Sequence, residues 1–166
     1  MLPDSLLSQA RELLELCRRK GLRLATAESC TGGLLAACLT EVPGSSDVLE
    51  RGFVTYSNEA KESSLGVPAE LIQARGAVSA EVCRAMAEGA IANSRAQLGA
   101  AVTGIAGPGG ATDSKPVGLV YVAAARRGAP TIVERHQFKG ERAAVRLVSV
   151  EAALALLARQ AERDRP

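Results

Sequence analysis

The chain has 166 residues, a net charge of +2 from 20 basic and 18 acidic side chains, and 47% hydrophobic residues. A length of about 100–200 residues is typical of one domain, so we expect a single domain over residues 1–166. The balanced charge and the 2% aromatic content argue against a nucleic-acid partner, which needs basic surface and stacking faces. No run of about 18 apolar residues predicts a membrane span.

The counts of histidine and cysteine narrow the chemistry. The single histidine, His136, excludes zinc sites built on two or three histidines and leaves one candidate for a Ser-His-Asp triad. Cys17, Cys30, Cys38 and Cys83 have no CxxC spacing and are expected to be reduced thiols. Because the N-terminus also lacks a basic, apolar leader, we expect a cytoplasmic protein without a metal or cofactor.

Hydrophobic periodicity and turn residues predict the elements in chain order. They are a helix over 5–20, a strand over 22–27, a helix opened by 29–33 and ending near 41, a strand over 52–56, short helices over 58–66 and 68–74, a helix over 80–94, a strand over 98–103, a hairpin of 117–125 and 131–138, and a helix over 140–160. The last residues, 164–166, are expected to fray. Helices between the early strands predict parallel neighbours. The predicted fold is therefore α/β, a three-layer α/β/α sandwich with a mixed, mostly parallel sheet and a late antiparallel hairpin.

A turn of small residues follows the first predicted strand and runs from Ser29 to Gly33. Free N–H groups at a helix N-terminus attract a phosphate or a developing oxyanion, and a serine there can be a nucleophile. Two alternatives stay open. Ser29 or Thr31 acts only as a helix cap, or Cys30 is the nucleophile, because a helix N-terminus lowers a thiol pKa.

Lys61 falls in the first turn of a predicted helix that Asn58 caps, and Tyr56 ends the preceding strand. The positive end of the helix dipole disfavours a charged lysine. A neutral lysine can act as general base in a Ser-Lys pair, with Tyr56 placed to hand on a proton or to orient the lysine. The alternative is a solvated Lys61 with an ordinary pKa.

Two further segments are candidates for ligand binding. The glycine-rich segment 103–110 matches neither a P-loop nor GxGxxG, although its glycines let backbone approach a ligand closely. An ordinary long loop is the alternative. Arg142, in the first turn of the last predicted helix, either forks onto a phosphate or is solvated or paired with an acid. His136, in a predicted strand, is expected to be a surface residue or a satisfied polar residue.

Six segments, in this order over nearly the whole chain, resemble the C-terminal domain of the competence/damage-inducible protein CinA. They are TAESCTGG at 26–33, TYSN at 55–58 with Gly52 and Lys61, GAVS at 76–79, TGIAGPGG at 103–110, Gly118 with Val120 and Tyr121, and Gly140 with Arg142. Six separate motifs in the same order make the resemblance specific.

The resemblance implies a nicotinamide-nucleotide amidase. Such an enzyme hydrolyses the carboxamide of nicotinamide mononucleotide to nicotinate mononucleotide and ammonia, in the recycling of pyridine nucleotides. The resemblance also implies a three-layer α/β/α sandwich and a homo-oligomer. Two-domain relatives carry an N-terminal domain associated with ADP-ribose pyrophosphatase activity. Because only one predicted helix precedes the amidase-like segment, we expect that second activity to be absent.

Carried over residue by residue, the resemblance implies that Ser29 is the nucleophile, Lys61 the base and Tyr56 its partner. The residues implied to contact substrate are Thr31, Gly32, Gly33, Thr103, Gly104, Gly107 and Arg142. Two alternatives belong to other classes of protein. One is a nucleotide-binding regulatory module without catalysis, and the other is a serine amidase or esterase for a different small molecule.

Overall fold

The computed structural model describes residues 1–164; Arg165 and Pro166, on which the prediction of fraying partly falls, lie outside the described residues. The helices are α1 (Asp4–Lys20), α2 (Leu34–Thr40), α3 (Asn58–Leu65), α4 (Ala69–Arg75), α5 (Ala80–Ala92) and α6 (Arg142–Glu162), with one 3₁₀ turn at Ser45–Asp47. The strands are β1 (Leu24–Glu28), β2 (Leu49–Val54), β3 (Leu98–Gly104), β4 (Leu119–Arg126) and β5 (Ala129–Gln137). None of the helices within residues 1–164 has the length and apolar composition that a membrane crossing needs.

The strands form one mixed sheet in the order β2-β1-β3-β4-β5. Strand β1 is parallel to both β2 and β3, whereas β4 is antiparallel to β3 and to β5. In this register Glu28, the last residue of β1, lies opposite Val54 of β2 and Val102 of β3. The chain therefore leaves three parallel strands at the same edge of the sheet, and the predicted α/β fold is confirmed.

Two hydrophobic clusters cover the two faces of the sheet. Alternate residues of a strand point to opposite faces, so Leu24 of β1 packs with α1, α2 and α6, whereas Ala25 and Ala27 pack with α3, α4 and α5. The second face is lined mainly by alanine, which lets α5 approach the strands closely. This arrangement is a helix layer on each side of a central sheet.

Three boundaries near the sheet edge differ from the sequence prediction. Strand β2 ends at Val54, so Tyr56 lies beyond the strand instead of ending it. Helix α2 begins only at Leu34, because Gly32 and Gly33 have φ angles of +57° and +100°, in the left-handed region that interrupts a helix. The cap of α3 is Ser57 instead of Asn58, and its Oγ accepts a hydrogen bond from the Ala60 N–H at 3.0 Å. The small-residue turn predicted at 29–33 therefore stays outside the helix and connects β1 to α2.

Candidate active site

Ser29 is the first residue after β1, at the edge where the parallel strands end. Its N–H donates to the Val102 carbonyl at 2.9 Å, which extends the pairing of β1 with β3 by one bond. Its own carbonyl accepts the Gly32 N–H at 3.0 Å and closes a tight turn. These two bonds fix the serine backbone, and the half-buried side chain lines a cavity.

Lys61 approaches Ser29 from α3, on the neighbouring part of the same sheet edge. The Lys61 Nζ lies 3.0 Å from the Ser29 Oγ and 2.8 Å from the Thr55 carbonyl oxygen. The lysine is only 1% exposed, and burial lowers its pKa from the ordinary 10.5, while the nearby Cys30 acts weakly in the opposite direction. A neutral Lys61 amine can accept the Ser29 proton while it donates to Thr55.

The structure thus brings together the predicted serine and lysine, but for a reason other than the predicted one. Lys61 is the fourth residue of α3, not the third, and burial of its charged form is the main cause of the lowered pKa. The alternative of a solvated lysine with an ordinary pKa is wrong.

Glu28, which sequence reasoning passed over, occupies the helix N-terminus that was predicted to attract an anion. Its fully buried carboxylate accepts the Leu35 N–H at 2.8 Å and the Ala36 N–H at 3.1 Å. The anion at the α2 N-terminus is therefore the protein's own side chain. An acidic residue between a buried strand and a helix start is a usable sequence signal for such a cap.

Two donors in the turn after Ser29 are not used by backbone carbonyls. Within residues 1–164, the N–H groups of Cys30 and Thr31 have no backbone acceptor. Backbone N–H groups directly after a nucleophile are the usual donors to an oxyanion. The turn itself, and not the helix behind it, is the part of the molecule that can stabilise negative charge beside Ser29.

The cavity at Ser29 has a volume of about 280 Å³, close to the lower end of the range for small-molecule sites, about 300–1,000 Å³. It is lined by Ser29, Cys30, Tyr56, Arg142 and residues 104–107, 109 and 110 of the glycine-rich loop. Larger surface grooves exist, including one of about 650 Å³ between α1 and α6. That groove has no paired nucleophile and base, so the smaller cavity is the candidate active site.

Tyr56 and Arg142, which both line this cavity, contact each other. The Arg142 Nη1 donates to the Gly107 carbonyl at 2.8 Å, and its Nη2 donates to the Tyr56 hydroxyl at 3.0 Å. Tyr56 is 62% exposed. The hydroxyl of Tyr56 therefore contacts the arginine, not Lys61, and the predicted orientation of the lysine by this tyrosine is not what the structure has.

Several residues that were predicted to contact substrate lie outside the cavity. Thr31, Gly32, Gly33 and Thr103 do not line the cavity, and the buried Thr103 hydroxyl donates to the Ala77 carbonyl at 2.8 Å.

The glycines of the loop serve packing as well as the cavity. Gly104 and Gly107 do line the cavity, yet a Cβ on Gly104 would lie 2.7 Å from Val120 and one on Gly107 would lie 2.6 Å from Val117. Close packing within the protein therefore explains glycine at both positions.

Cys30, the rival nucleophile, is in an unfavourable environment for a thiolate. Burial raises its pKa to about 11, although its own backbone N–H and Arg146 lower it somewhat. A thiol with this pKa is protonated at neutral pH, and the thiolate is the reactive form. The environment of Cys30 therefore favours the interpretation in which Ser29 is the nucleophile.

Within residues 1–164, neither His136 nor a group of metal ligands gives a second site of this kind. His136 lies in β5, where it contacts Glu134 at 3.3 Å and stacks on Phe138. Among the described residues, no group of three His, Cys, Asp or Glu side chains is arranged to hold a metal ion.

The fold is that of an α/β protein with a serine–lysine pair at the edge of its sheet. Similar proteins are known, and they match this chain in sequence and in structure. The sequence profile of the CinA C-terminal domain matches residues 7–161. The chain is 55% identical over 145 residues to a CinA-like protein of Geobacter sulfurreducens, and 47% identical over 152 residues to a putative competence-damage inducible protein of Caldicellulosiruptor bescii. These alignments cover 87% and 89% of the chain, but only 35% and 37% of the relatives. The chain thus spans about a third of their length.

Solved structures agree with this assignment over almost the whole chain. The competence/damage inducible protein CihA from Agrobacterium tumefaciens superposes with a TM-score of 0.94 at 43% identity, covering 98% of this chain and 99% of that one. A CinA superfamily protein from Escherichia coli superposes with a TM-score of 0.90 at 34% identity, covering 96% and 94%. The chain belongs to the family of the CinA C-terminal domain, as its motifs predict.

Proposed function

We propose that the protein is a nicotinamide-nucleotide amidase that uses Ser29 as nucleophile and Lys61 as general base. The observation that carries the proposal is the 3.0 Å contact between the Lys61 Nζ and the Ser29 Oγ, with the lysine buried. A buried lysine with a lowered pKa is poised to remove a proton from a serine hydroxyl. The nicotinamide nucleotide itself comes from the family resemblance.

The reaction follows from the positions of these groups. Lys61 takes the proton of Ser29, and the Ser29 Oγ attacks the carboxamide carbon of the nicotinamide ring. The N–H groups of Cys30 and Thr31 hold the oxyanion, an interaction worth about 3–4 kcal/mol per donor in other enzymes. The C–N bond breaks, ammonia leaves with the proton from Lys61, and water then hydrolyses the acyl-enzyme.

Two features of the substrate favour this reaction at this site. The cationic pyridinium ring withdraws electrons from the carbonyl carbon and makes it more open to attack. The 5′-phosphate needs cationic or N–H partners, and Arg142 is the cationic side chain that lines the cavity. The Arg142 guanidinium has five N–H donors, of which the Gly107 and Tyr56 contacts use two.

The test is the release of ammonia from nicotinamide mononucleotide by the purified protein with a chelator present. We expect release by the wild type and by Cys30→Ala, and loss of nearly all turnover in Ser29→Ala and Lys61→Met. Substrate affinity of Ser29→Ala should stay within about tenfold, because the serine acts mainly on the transition state. The nucleoside without the 5′-phosphate, tested alongside, measures the contribution of the phosphate.

The outcomes separate the alternatives. Binding of the nucleotide without ammonia release, in a folded sample, would favour a non-catalytic nucleotide-binding module. Turnover of other small amides or esters, but not of the nucleotide, would favour a different serine hydrolase. Full activity of Ser29→Ala would contradict covalent catalysis by this residue.

A further inference from the structure

Arg146 lies behind the Ser29 turn, on α6 and one helical turn after Arg142. Its Nε donates to the Cys30 carbonyl at 3.1 Å and its Nη2 donates to the Thr31 carbonyl at 3.0 Å. Within residues 1–164 it forms no ion pair with a carboxylate. Its charge is therefore directed at two peptide carbonyls of the turn that carries the nucleophile.

These contacts control the direction of the backbone donors. In a trans peptide the C=O and the N–H point in opposite directions, and the only cis bond in the described part of the chain is Gly107–Pro108. A guanidinium that holds the Cys30 carbonyl therefore sets the direction of the Thr31 N–H. It does so from the opposite side of the turn.

The two N–H groups oriented in this way, those of Thr31 and Gly32, differ in their hydrogen bonds. The Gly32 N–H is used by the Ser29 carbonyl at 3.0 Å, whereas the Thr31 N–H has no backbone acceptor among residues 1–164. A positive charge on a carbonyl oxygen also polarises the peptide, which makes its N–H a stronger donor. Arg146 thus acts on a donor that no backbone carbonyl occupies, in the residue that follows Cys30 of the cavity lining.

The same charge favours negative charge near the nucleophile. Arg146 is among the groups that lower the pKa of the Cys30 thiol, against the larger effect of burial. Cys30 is adjacent to Ser29 in the chain, so an oxyanion that forms beside Ser29 also lies in the field of this guanidinium. The charge of Arg146 and its hydrogen bonds to the turn therefore both favour an anionic oxygen beside Ser29.

We propose that Arg146 is a positioning residue of the serine site, which holds the Ser29 turn from behind so that the Thr31 N–H is aimed at the anionic oxygen formed during attack. The inference rests on the nucleophilic Ser29 of the proposed function and does not depend on the nicotinamide substrate. Arg146 acts on the turn from outside the cavity, whereas Arg142 is part of the cavity lining.

The test uses an alkyl fluorophosphonate, which reports on the serine site without the nucleotide. The Ser29 Oγ attacks phosphorus, its proton passes to Lys61, the O–P bond forms, and the P–F bond breaks to release fluoride. The phosphoryl oxygen takes the position of the oxyanion. Intact-protein mass spectrometry gives the rate of labelling, with Ser29→Ala as the blank.

Three variants isolate the role of Arg146. We expect Arg146→Ala to slow labelling by about 10- to 100-fold, since loss of one oxyanion donor costs about 100- to 1,000-fold in other enzymes. Arg146→Lys should be intermediate, because an amine has no planar fork to hold two carbonyls. The matched control is Arg159→Ala, on the same helix and about 20 Å further along its axis, where the arginine contacts Glu134; its labelling rate should equal that of the wild type.

Two readouts distinguish positioning from a purely structural role. Added guanidinium ion, at concentrations far below denaturing ones, should restore part of the labelling rate of Arg146→Ala, whereas sodium chloride at the same concentration should not. In ammonia release, kcat should fall while KM changes by less than about threefold, because the lost interaction belongs to the transition state.

The outcomes separate this inference from the proposed function. Slow labelling of Arg146→Ala with guanidinium rescue supports the role of Arg146 even if the wild type releases no ammonia from the nucleotide. Labelling of both Arg146 variants at the wild-type rate would overturn it. Absence of any labelling of wild-type Ser29 would overturn both the activated serine and the role of Arg146.

Discussion

The burial of a single lysine links stability to catalysis in this protein. Lys61 is among the largest fully buried side chains, and its pKa is lowered mainly by loss of solvent. Its contacts are a serine hydroxyl and a peptide carbonyl, neither of which carries a compensating charge. A group of this kind costs stability when it is charged and serves as a base when it is neutral.

The first prediction concerns stability. Lys61→Met should raise the free energy of unfolding at neutral pH while it abolishes turnover. Because the folded-state pKa lies below 10.5, the unfolded wild type binds more protons than the folded one in the window between the two pKa values, so its stability rises with pH there. The advantage of Lys61→Met should be greatest below this window and shrink through it. Urea denaturation across the pH range measures this difference, and a variant less stable than the wild type at every pH would contradict the prediction.

The second prediction concerns the pH dependence of activity. The rate constant kcat/KM for ammonia release should rise with pH through an apparent pKa below 10.5, as Lys61 loses its proton. The rate of fluorophosphonate labelling should follow the same curve, because both reactions need the neutral amine. A flat profile in both assays would remove Lys61 as the base.

At the scale of elements, the β1–α2 connection explains why Ser29 is held in place. Glu28 ends β1, and its carboxylate accepts two N–H groups at the start of α2. The turn between them is thus closed at both ends, with Ser29 tied to β3 and the helix tied to β1. A rigid turn keeps the donors after Ser29 oriented before substrate arrives, which is the basis of electrostatic catalysis.

The third prediction tests this cap. Glu28→Gln leaves only one acceptor oxygen for two N–H groups, so we expect a loss of about 1–3 kcal/mol in unfolding free energy and a lower kcat. Glu59→Gln is the matched control, since Glu59 is exposed in the first turn of α3 and should change neither quantity appreciably. Chemical denaturation and ammonia release provide the two measurements. Equal stabilities of the two variants would argue against the cap.

Helix α3, which carries Lys61, packs closely against α5. A Cβ on Gly89 of α5 would lie 2.2 Å from the Leu65 carbonyl at the end of α3, so only glycine allows this separation of the two helices. Sequence periodicity predicts that both helices exist, but it does not predict how closely they pack. The burial of a side chain such as Lys61 depends on tertiary packing, which periodicity does not reveal, and the sequence therefore left a solvated lysine open.

At the scale of the whole molecule, the topology brings distant residues together. Ser29 and Lys61 are 32 positions apart in sequence, yet both follow parallel strands whose carboxyl ends share one edge. Ligand sites of open α/β sheets occur at this edge. The alternation of helices and strands predicts the parallel strands, so the shared edge is accessible to sequence reasoning.

The parts that sequence did not reveal depend on side-chain geometry. Three contacts are of this kind: the Glu28 cap, the Tyr56–Arg142 contact and the Thr103–Ala77 contact. Each joins different segments of the chain instead of neighbouring residues of one element. Local propensity carries no information about such partners. The homo-oligomer likewise stays a prediction of the resemblance, and light scattering of the purified chain, which gives its mass in solution, is the measurement for it.

The most direct test of the account is detection of the acyl-enzyme. Nicotinamide mononucleotide is mixed with the protein, the reaction is quenched in acid within the first turnovers, and the intact mass is measured. We predict an adduct equal to the nucleotide minus ammonia, bound to the peptide that contains Ser29 and absent from Ser29→Ala. Product formation with no adduct on wild-type protein, together with turnover by Ser29→Ala, would contradict the central claim that Ser29 attacks the carboxamide.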